Sequence, residues 1–221
     1  MPRKLNSLGV SPEDMRRHIA YDIGAAEVAK RLAALLDGFL IRQTYSRLVI
    51  DCNRPPGTDE SIVRVSETTA IPGNEAVSSA DAQAREREVF WPYHDRIRTE
   101  LDRRAALHRR TILVAVHSFT PRFHAEQRPW HAGLLYNRDR RLASFLLQSL
   151  RNDRNLLIGD NQPYCVDDET DYALPEYGEK RGLLHVGIEL RQDLIATQPG
   201  QTEWAERLSP LLALAGEASL E

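Results

Sequence analysis

The chain has 221 residues, a net charge of −3, and hydrophobic and charged shares of 42% and 28%. That length buries a continuous core without staples, and one domain is expected over residues 1–221. No basic field points to nucleic acid, and no apolar run reaches the ~18 residues that span a bilayer.

The two cysteines, Cys52 and Cys165, stand far apart and form no CxxC pair, which predicts free thiols in a reduced compartment. Met1-Pro2-Arg3-Lys4-Leu5 carries no apolar signal core, so the cytoplasm is the expected location. Small molecules, rather than nucleic acid or membrane, are the expected partners, and the oligomeric state stays open. Arg103, Arg104, Arg109 and Arg110 are interleaved with acids and predict a solvated helix face.

Ser11-Pro12-Glu13-Asp14 predicts a helix start, with a capping hydroxyl, Pro in the first turn and acids at the positive dipole end. The spacing of Ile19, Ile23, Ala26, Val28, Leu32 and Leu35 carries that helix to Leu36, with Gly24 as a point where it would break in two. Residues 39–50 read as one or two strands, ending in the apolar run Leu48-Val49-Ile50. Residues 53–77 contain Pro55, Pro56, Gly57, Pro72 and Gly73 and predict a long functional loop or lid.

Residues 79–108 predict a charged helix, kinked or restarted at Pro92. Residues 111–116 form the clearest buried strand. Further strands are expected at 133–136, 155–158 and 182–190, and helices at 140–150 and 202–214. This alternation predicts an α/β fold with a mostly parallel or mixed sheet sandwiched by helices.

Polar groups follow the apolar runs. Asp51-Cys52-Asn53-Arg54, His117-Ser118, Asp160-Asn161-Gln162 and Glu189-Leu190-Arg191 would converge if all four runs were strands sharing carboxyl ends. His117 either caps a strand by bonding a backbone carbonyl or serves as metal ligand or acid–base group. Glu189 interrupts an apolar strand, so it is either ion-paired with Arg47, Arg54 or Arg191, or a general base.

Arg54 and Asn53 precede Pro55-Pro56, which enforces extended backbone and suits a fixed grip on a carboxylate. Arg47 would supply a second cation; the alternative for both arginines is surface salt bridging. His18 and Asp22 lie four apart, a spacing for a metal pair or an ordinary helix-surface pair. His131 sits in a loop that could line a pocket, His185 shares a sheet face with Glu189, and His94, His108 and His124 read as surface. No HExxH, Walker loop, GxSxG or GxGxxG occurs.

As an ordered set, four segments resemble the N-formylglutamate amidohydrolase family over residues 9–194. They are Arg17-His18-Ile19-Ala20-Tyr21-Asp22-Ile23-Gly24, Tyr45-Ser46-Arg47-Leu48-Val49-Ile50-Asp51-Cys52-Asn53-Arg54, His117-Ser118-Phe119-Thr120-Pro121 and His185-Val186-Gly187-Ile188-Glu189-Leu190-Arg191. The resemblance implies a mixed central sheet flanked by helices, as in the zinc carboxypeptidases and aspartoacylase. It also implies Zn2+ or another divalent metal whose water attacks an amide.

By that resemblance His117 is a metal ligand, Asp22 a ligand or its support, and Glu189 the general base and acid. Asn53 and Arg54 hold the substrate carboxylate, and Arg47 polarises the scissile carbonyl. The family pattern opens with a strand and a His loop, whereas this chain starts at Met1-Pro2, so that strand and one zinc ligand are expected to be missing. The implied substrate is an N-formyl or N-acyl amino acid. Alternatives are a metallopeptidase or amidase acting on other carboxylate-bearing substrates, or an inactive carboxylate-binding module.

Overall fold

Four strands build the central sheet: β1 (Ile112–Phe119), β2 (Ala132–Leu135), β3 (Ile158–Asp160) and β4 (Leu184–Arg191). Their order is β1-β4-β2-β3; β1 runs parallel to β4, β2 antiparallel to β4, and β3 parallel to β2. The sheet is therefore mixed, as expected. The computed structural model describes residues 2–218. Its contacts divide the chain into two units, one of Met1–Tyr21, Ile41–Arg103 and Glu169–Tyr172, the other of Asp22–Leu40, Arg104–Asp168 and Ala173–Glu221.

The second unit contains the sheet, and side-chain parity decides its two faces. Val186, Ile188 and Leu190 of β4, with Val114 and Val116 of β1, join one large core. Three helices fill that core: α1 (Ala25–Leu35) through Val28 and Leu32, α2 (Arg141–Leu150) through Leu142 and Leu146, and α3 (Gln198–Glu217) through Leu208 and Leu212. Each fully buried aliphatic chain there contributes about 1.5–3 kcal/mol.

On the opposite face, Leu113 and Ala115 pack with Leu135, Val166 and Leu174. A Cβ on Gly187 would stand 3.1 Å from Leu135 Cβ and 3.2 Å from Leu174 Cδ1, so this face is built for close cover. His117 and Glu189 lie farther along it. None of the described helices is long and apolar enough to cross a membrane.

The first unit is mostly irregular. It holds a two-residue ladder, Val65–Ser66 against Thr69–Ala70, and a helix Ser79–Arg85 whose first turn is capped by Ser78 Oγ accepting from Asp81 N at 3.1 Å. That helix passes through a π-type turn, Glu86–Phe90, into a helix Trp91–Ala106. Pro92 lacks an N–H and its ring clashes with the carbonyl four residues back; the wider turn before it relieves both problems, so the chain bulges instead of stopping.

Other expectations are corrected. The helix predicted over 11–36 is a single tight turn, Asp14–Arg16, followed by α1. Ser11 Oγ does cap, accepting from Asp14 N at 3.0 Å, but nothing propagates from it. Gly24 makes the break: its φ is +79°, and a Cβ there would lie 2.1 Å from Ile195 O. Residues 39–50 form no strand.

Leu48, Val49 and Ile50 are buried, but in a turn whose carbonyls are met by side chains. Asn74 Nδ2 donates to Leu48 O and Arg85 Nη1 to Val49 O, each at 2.9 Å. The strand read as the clearest buried one, β1, lies at the sheet edge and is only half-buried along most of its length; β4 is the buried central strand.

Candidate active site

Strand β4 places Glu189 in register with His117 of β1. Register partners on adjacent parallel strands present their side chains to one face, roughly 5 Å apart at the backbone. Glu189 is 7% exposed, so its carboxyl is held away from bulk water. His117 Nδ1–H donates to Asp22 Oδ2 at 2.8 Å. Asp22 sits just before Gly24 and α1, with its backbone O accepting from Ala25 N at 3.4 Å. Its position is set by the same sharp turn that delays the helix.

The bond occupies Nδ1 and fixes the orientation and tautomer of the His117 ring. Of the two roles expected for Asp22, this contact is the supporting one. The helix face expected to carry His18 and Asp22 is absent, since neither lies in a helix, and His18 Nε2 is 3.2 Å from Glu67 Oε1.

His131 precedes β2 and its ring has a structural task. Its Nδ1 accepts from Leu157 N at 2.9 Å, its backbone N–H donates to Leu157 O at 2.8 Å, and its O accepts from Arg191 N at 3.0 Å. With Nδ1 accepting, the neutral ring carries its proton on Nε2, as a donor. The Arg191 guanidinium goes to Asp193 and Pro129 O.

Convergence of four strand ends is not what the sheet makes. The Leu48–Ile50 run is no strand, and β3 runs against β4, so Asp160 registers with Leu134, which registers with Ile188. Asp160 and Asn161 instead bind Tyr136, through its hydroxyl at 2.8 Å and its N–H at 2.9 Å. Strand direction, not visible in composition, decides this.

In the first unit, Arg47, Asp51, Arg54 and Glu60 line a cavity of about 320 Å³. Asp51 organises it: its Oδ1 accepts from Asn53 N at 2.8 Å, and its Oδ2 lies 3.8 Å from Arg47 Nη1. Asn53 Nδ2 donates to Asp171 Oδ1 at 2.9 Å, and Arg54 Nη1 donates to Thr170 O at 2.6 Å. Arg54 also pairs with Glu60 at 3.6 Å. The two expected carboxylate-binding residues thus share an acceptor that sequence reasoning missed. Asp171 follows the acidic run Asp167-Asp168-Glu169, and no motif marks it.

His94, expected at the surface, is fully buried: Nε2 meets Cys52 O at 2.8 Å and the ring makes tilted and edge-to-face contacts with Phe90, Tyr93 and Tyr172. His185 shares the face of Glu189 as expected, but its Nδ1 donates to Leu183 O at 2.7 Å and Nε2 lies 3.3 Å from Glu179.

A catalytic zinc takes three protein ligands. Among the described residues no group of three His, Cys, Asp or Glu side chains could hold a metal ion. His117 Nε2 offers one donor, and the described residues do not complete a set around it.

A buried carboxylate in register with a histidine is an arrangement suited to proton transfer. Residues 1–196 match the N-formylglutamate amidohydrolase family, and the chain belongs to it: a hydrolase that acts on an amide bond. Its structure is similar to that of a gene product from Agrobacterium tumefaciens, with TM-score 0.93 and 36% identity over 97% of this chain and 85% of that one. It is also similar to the N-formylglutamate amidohydrolase of Ralstonia eutropha, with TM-score 0.66 and 18% identity over 95% of this chain and 86% of that one, a likeness of fold alone. No curated protein matches the chain.

Proposed function

We propose that this chain releases the acyl group of a small-molecule N-formyl or N-acyl amino acid, with N-formyl-L-glutamate and water giving formate and L-glutamate as the reference reaction. Glu189 takes a proton from the attacking water, whose oxygen bonds to the acyl carbon. As the C–N bond breaks, Glu189 returns that proton to the leaving amine. Asn53 and Arg54 hold the substrate carboxylate, Arg47 polarises the acyl oxygen, and His131 Nε2–H is a further donor to substrate. The observation that carries the reading is a buried glutamate in register with an Asp-held histidine, in a chain of this family.

His117 Nε2 is the donor a Zn2+ or other divalent ion would find, and no step above is routed through such an ion. The test is formate release from N-formyl-L-glutamate by the wild type and Glu189→Gln, each with and without added zinc. The wild type should turn over and the variant should fall by about 10²–10⁴-fold. Equal rates would remove Glu189 from the reaction. No turnover by the wild type under either condition would remove the proposed substrate.

A further inference from the structure

The groups assigned to the substrate carboxylate already hold one. Asn53 Nδ2 donates to Asp171 Oδ1 at 2.9 Å, and Arg54 Nη1 lies 3.5 Å from that same oxygen. Arg54 is separated from Asp171 by 117 residues, so the contact is made by the fold and not by a neighbouring loop. The side chain of Asp171 is 15% exposed and that of Arg54 32%, so solvent screens the pair only in part. Thr170 O, accepting from Arg54 Nη1 at 2.6 Å, fixes the segment on the guanidinium by a second point. Arg54 also lines the cavity of about 320 Å³, within the size range of small-molecule sites.

An Asp side chain has the chemistry of an acyl amino acid's carboxylate: two oxygens, one charge, the same demand for N–H donors. Donors that serve Asp171 through one set of N–H groups are not free to serve a second carboxylate in the same place. We propose that Asp171 is an internal competitor: it occupies the Asn53–Arg54 grip in the resting chain, and an incoming carboxylate binds by displacing it. This rests on the role given to Asn53 and Arg54 under the proposed function. Asp171 thereby determines affinity, because the apparent dissociation constant is the intrinsic one divided by the fraction of chains with the grip open. It also selects for ligands whose carboxylate binds strongly enough to take its place.

The experiment is calorimetric titration of the full chain with glutarate and with N-formyl-L-glutamate, for wild type, Asp171→Ala, Asp171→Asn, Arg54→Ala and the Asp171→Ala/Arg54→Ala pair. Asp171→Ala should bind both probes more tightly, by about 3–10-fold for a grip that is open in roughly one chain in three to ten. Asp171→Asn, which keeps the shape and loses the charge, should move the same way by less. Arg54→Ala should bind more weakly, and removing Asp171 in that background should gain nothing.

Weaker or unchanged binding in both Asp171 variants would overturn the inference and make Asp171 a strut that positions Arg54. If Asp171→Ala does not fold, the Asp171→Asn titration decides alone. Glutarate binding that tightens without any formate release would support the competitor while refuting the proposed substrate. Absence of carboxylate binding in every variant would refute the competitor.

Discussion

Asp22 and His117, 95 residues apart in sequence, meet through a 2.8 Å hydrogen bond from Nδ1 to Oδ2. The bond fixes ring orientation and tautomer together, and such partners of metal-ligating histidines, the role proposed for His117, typically contribute 10–100-fold. Asp22→Asn should therefore lower kcat/KM by about that factor, or about 1.4–2.8 kcal/mol of barrier, with the circular dichroism spectrum unchanged. The asparagine keeps the shape but offers its N–H₂ as readily as its oxygen, so the ring loses its preferred tautomer. A variant as fast as wild type would reduce the pair to an anchor for the Asp22–Gly24 turn.

Asn74 holds the segment that leads into Asp51, Asn53 and Arg54. It is buried, donates to Leu48 O at 2.9 Å and Val63 O at 2.7 Å, and accepts from Arg85 Nη1 at 2.7 Å. Asn74→Ala strands two carbonyls and part of a buried guanidinium, each costing about 1–3 kcal/mol. Urea unfolding should show a loss of about 3 kcal/mol or more. Substrate KM should rise more than kcat falls, because the displaced residues Asn53 and Arg54 are the ones proposed to bind substrate and not to react.

The pairs that sequence reasoning reached are those set by period and parity. His117 and Glu189 stand in strands recognisable from β-branched runs, and their shared face follows once those strands are placed in register. Asn53 and Arg54 were legible as polar groups ahead of Pro55-Pro56. Leu48 to Ile50 form an apolar run that reads as a strand, but the Leu48 and Val49 carbonyls are satisfied by Asn74 and Arg85 from elsewhere in the chain and not by a ladder. Asp171 was illegible for a related reason: a contact across 117 residues leaves no local spacing to read. Strand direction is equally hidden: β3 runs against β4, so Asp160 and Asn161 lead away from the carboxyl end of β4 and bind Tyr136.

Gly24 is the residue that converts one predicted helix into a turn and α1. Its φ of +79° and the 2.1 Å gap between a built Cβ and Ile195 O penalise any side chain twice, once for conformation and once for overlap with backbone. Gly24→Ala should lower stability by about 2–4 kcal/mol, seen as a fall in thermal midpoint. Activity at low temperature should also drop, since Asp22 is two residues away. An unchanged midpoint would mean that the 192–195 segment yields at no cost.

Cys52 and Tyr93 predict how the fold responds to alkali. Burial pushes the Cys52 thiol up from 9.0 to about 12, although Gln43 Nε2 donates to its sulfur at 3.4 Å. Burial also pushes the Tyr93 hydroxyl up from 10.0 to about 12, with the neighbouring Cys52 and Asp51 adding to it. Both groups are neutral when protonated, and both hold their proton more tightly folded than unfolded. The stability they contribute is complete below about pH 9, and it is lost as pH rises from there toward about 12, because the unfolded chain releases those protons first. Denaturant midpoints measured from pH 8 to 11 should fall along that interval, and Tyr93→Phe should fall less steeply than wild type. In the same window the buried thiol stays protonated and unreactive. At pH 8 a thiol reagent should therefore modify only the exposed Cys165 in the folded chain, and both cysteines after unfolding. Two equivalents consumed by the folded chain, or parallel alkaline slopes for wild type and Tyr93→Phe, would show that Cys52 and Tyr93 are not shielded as their burial requires.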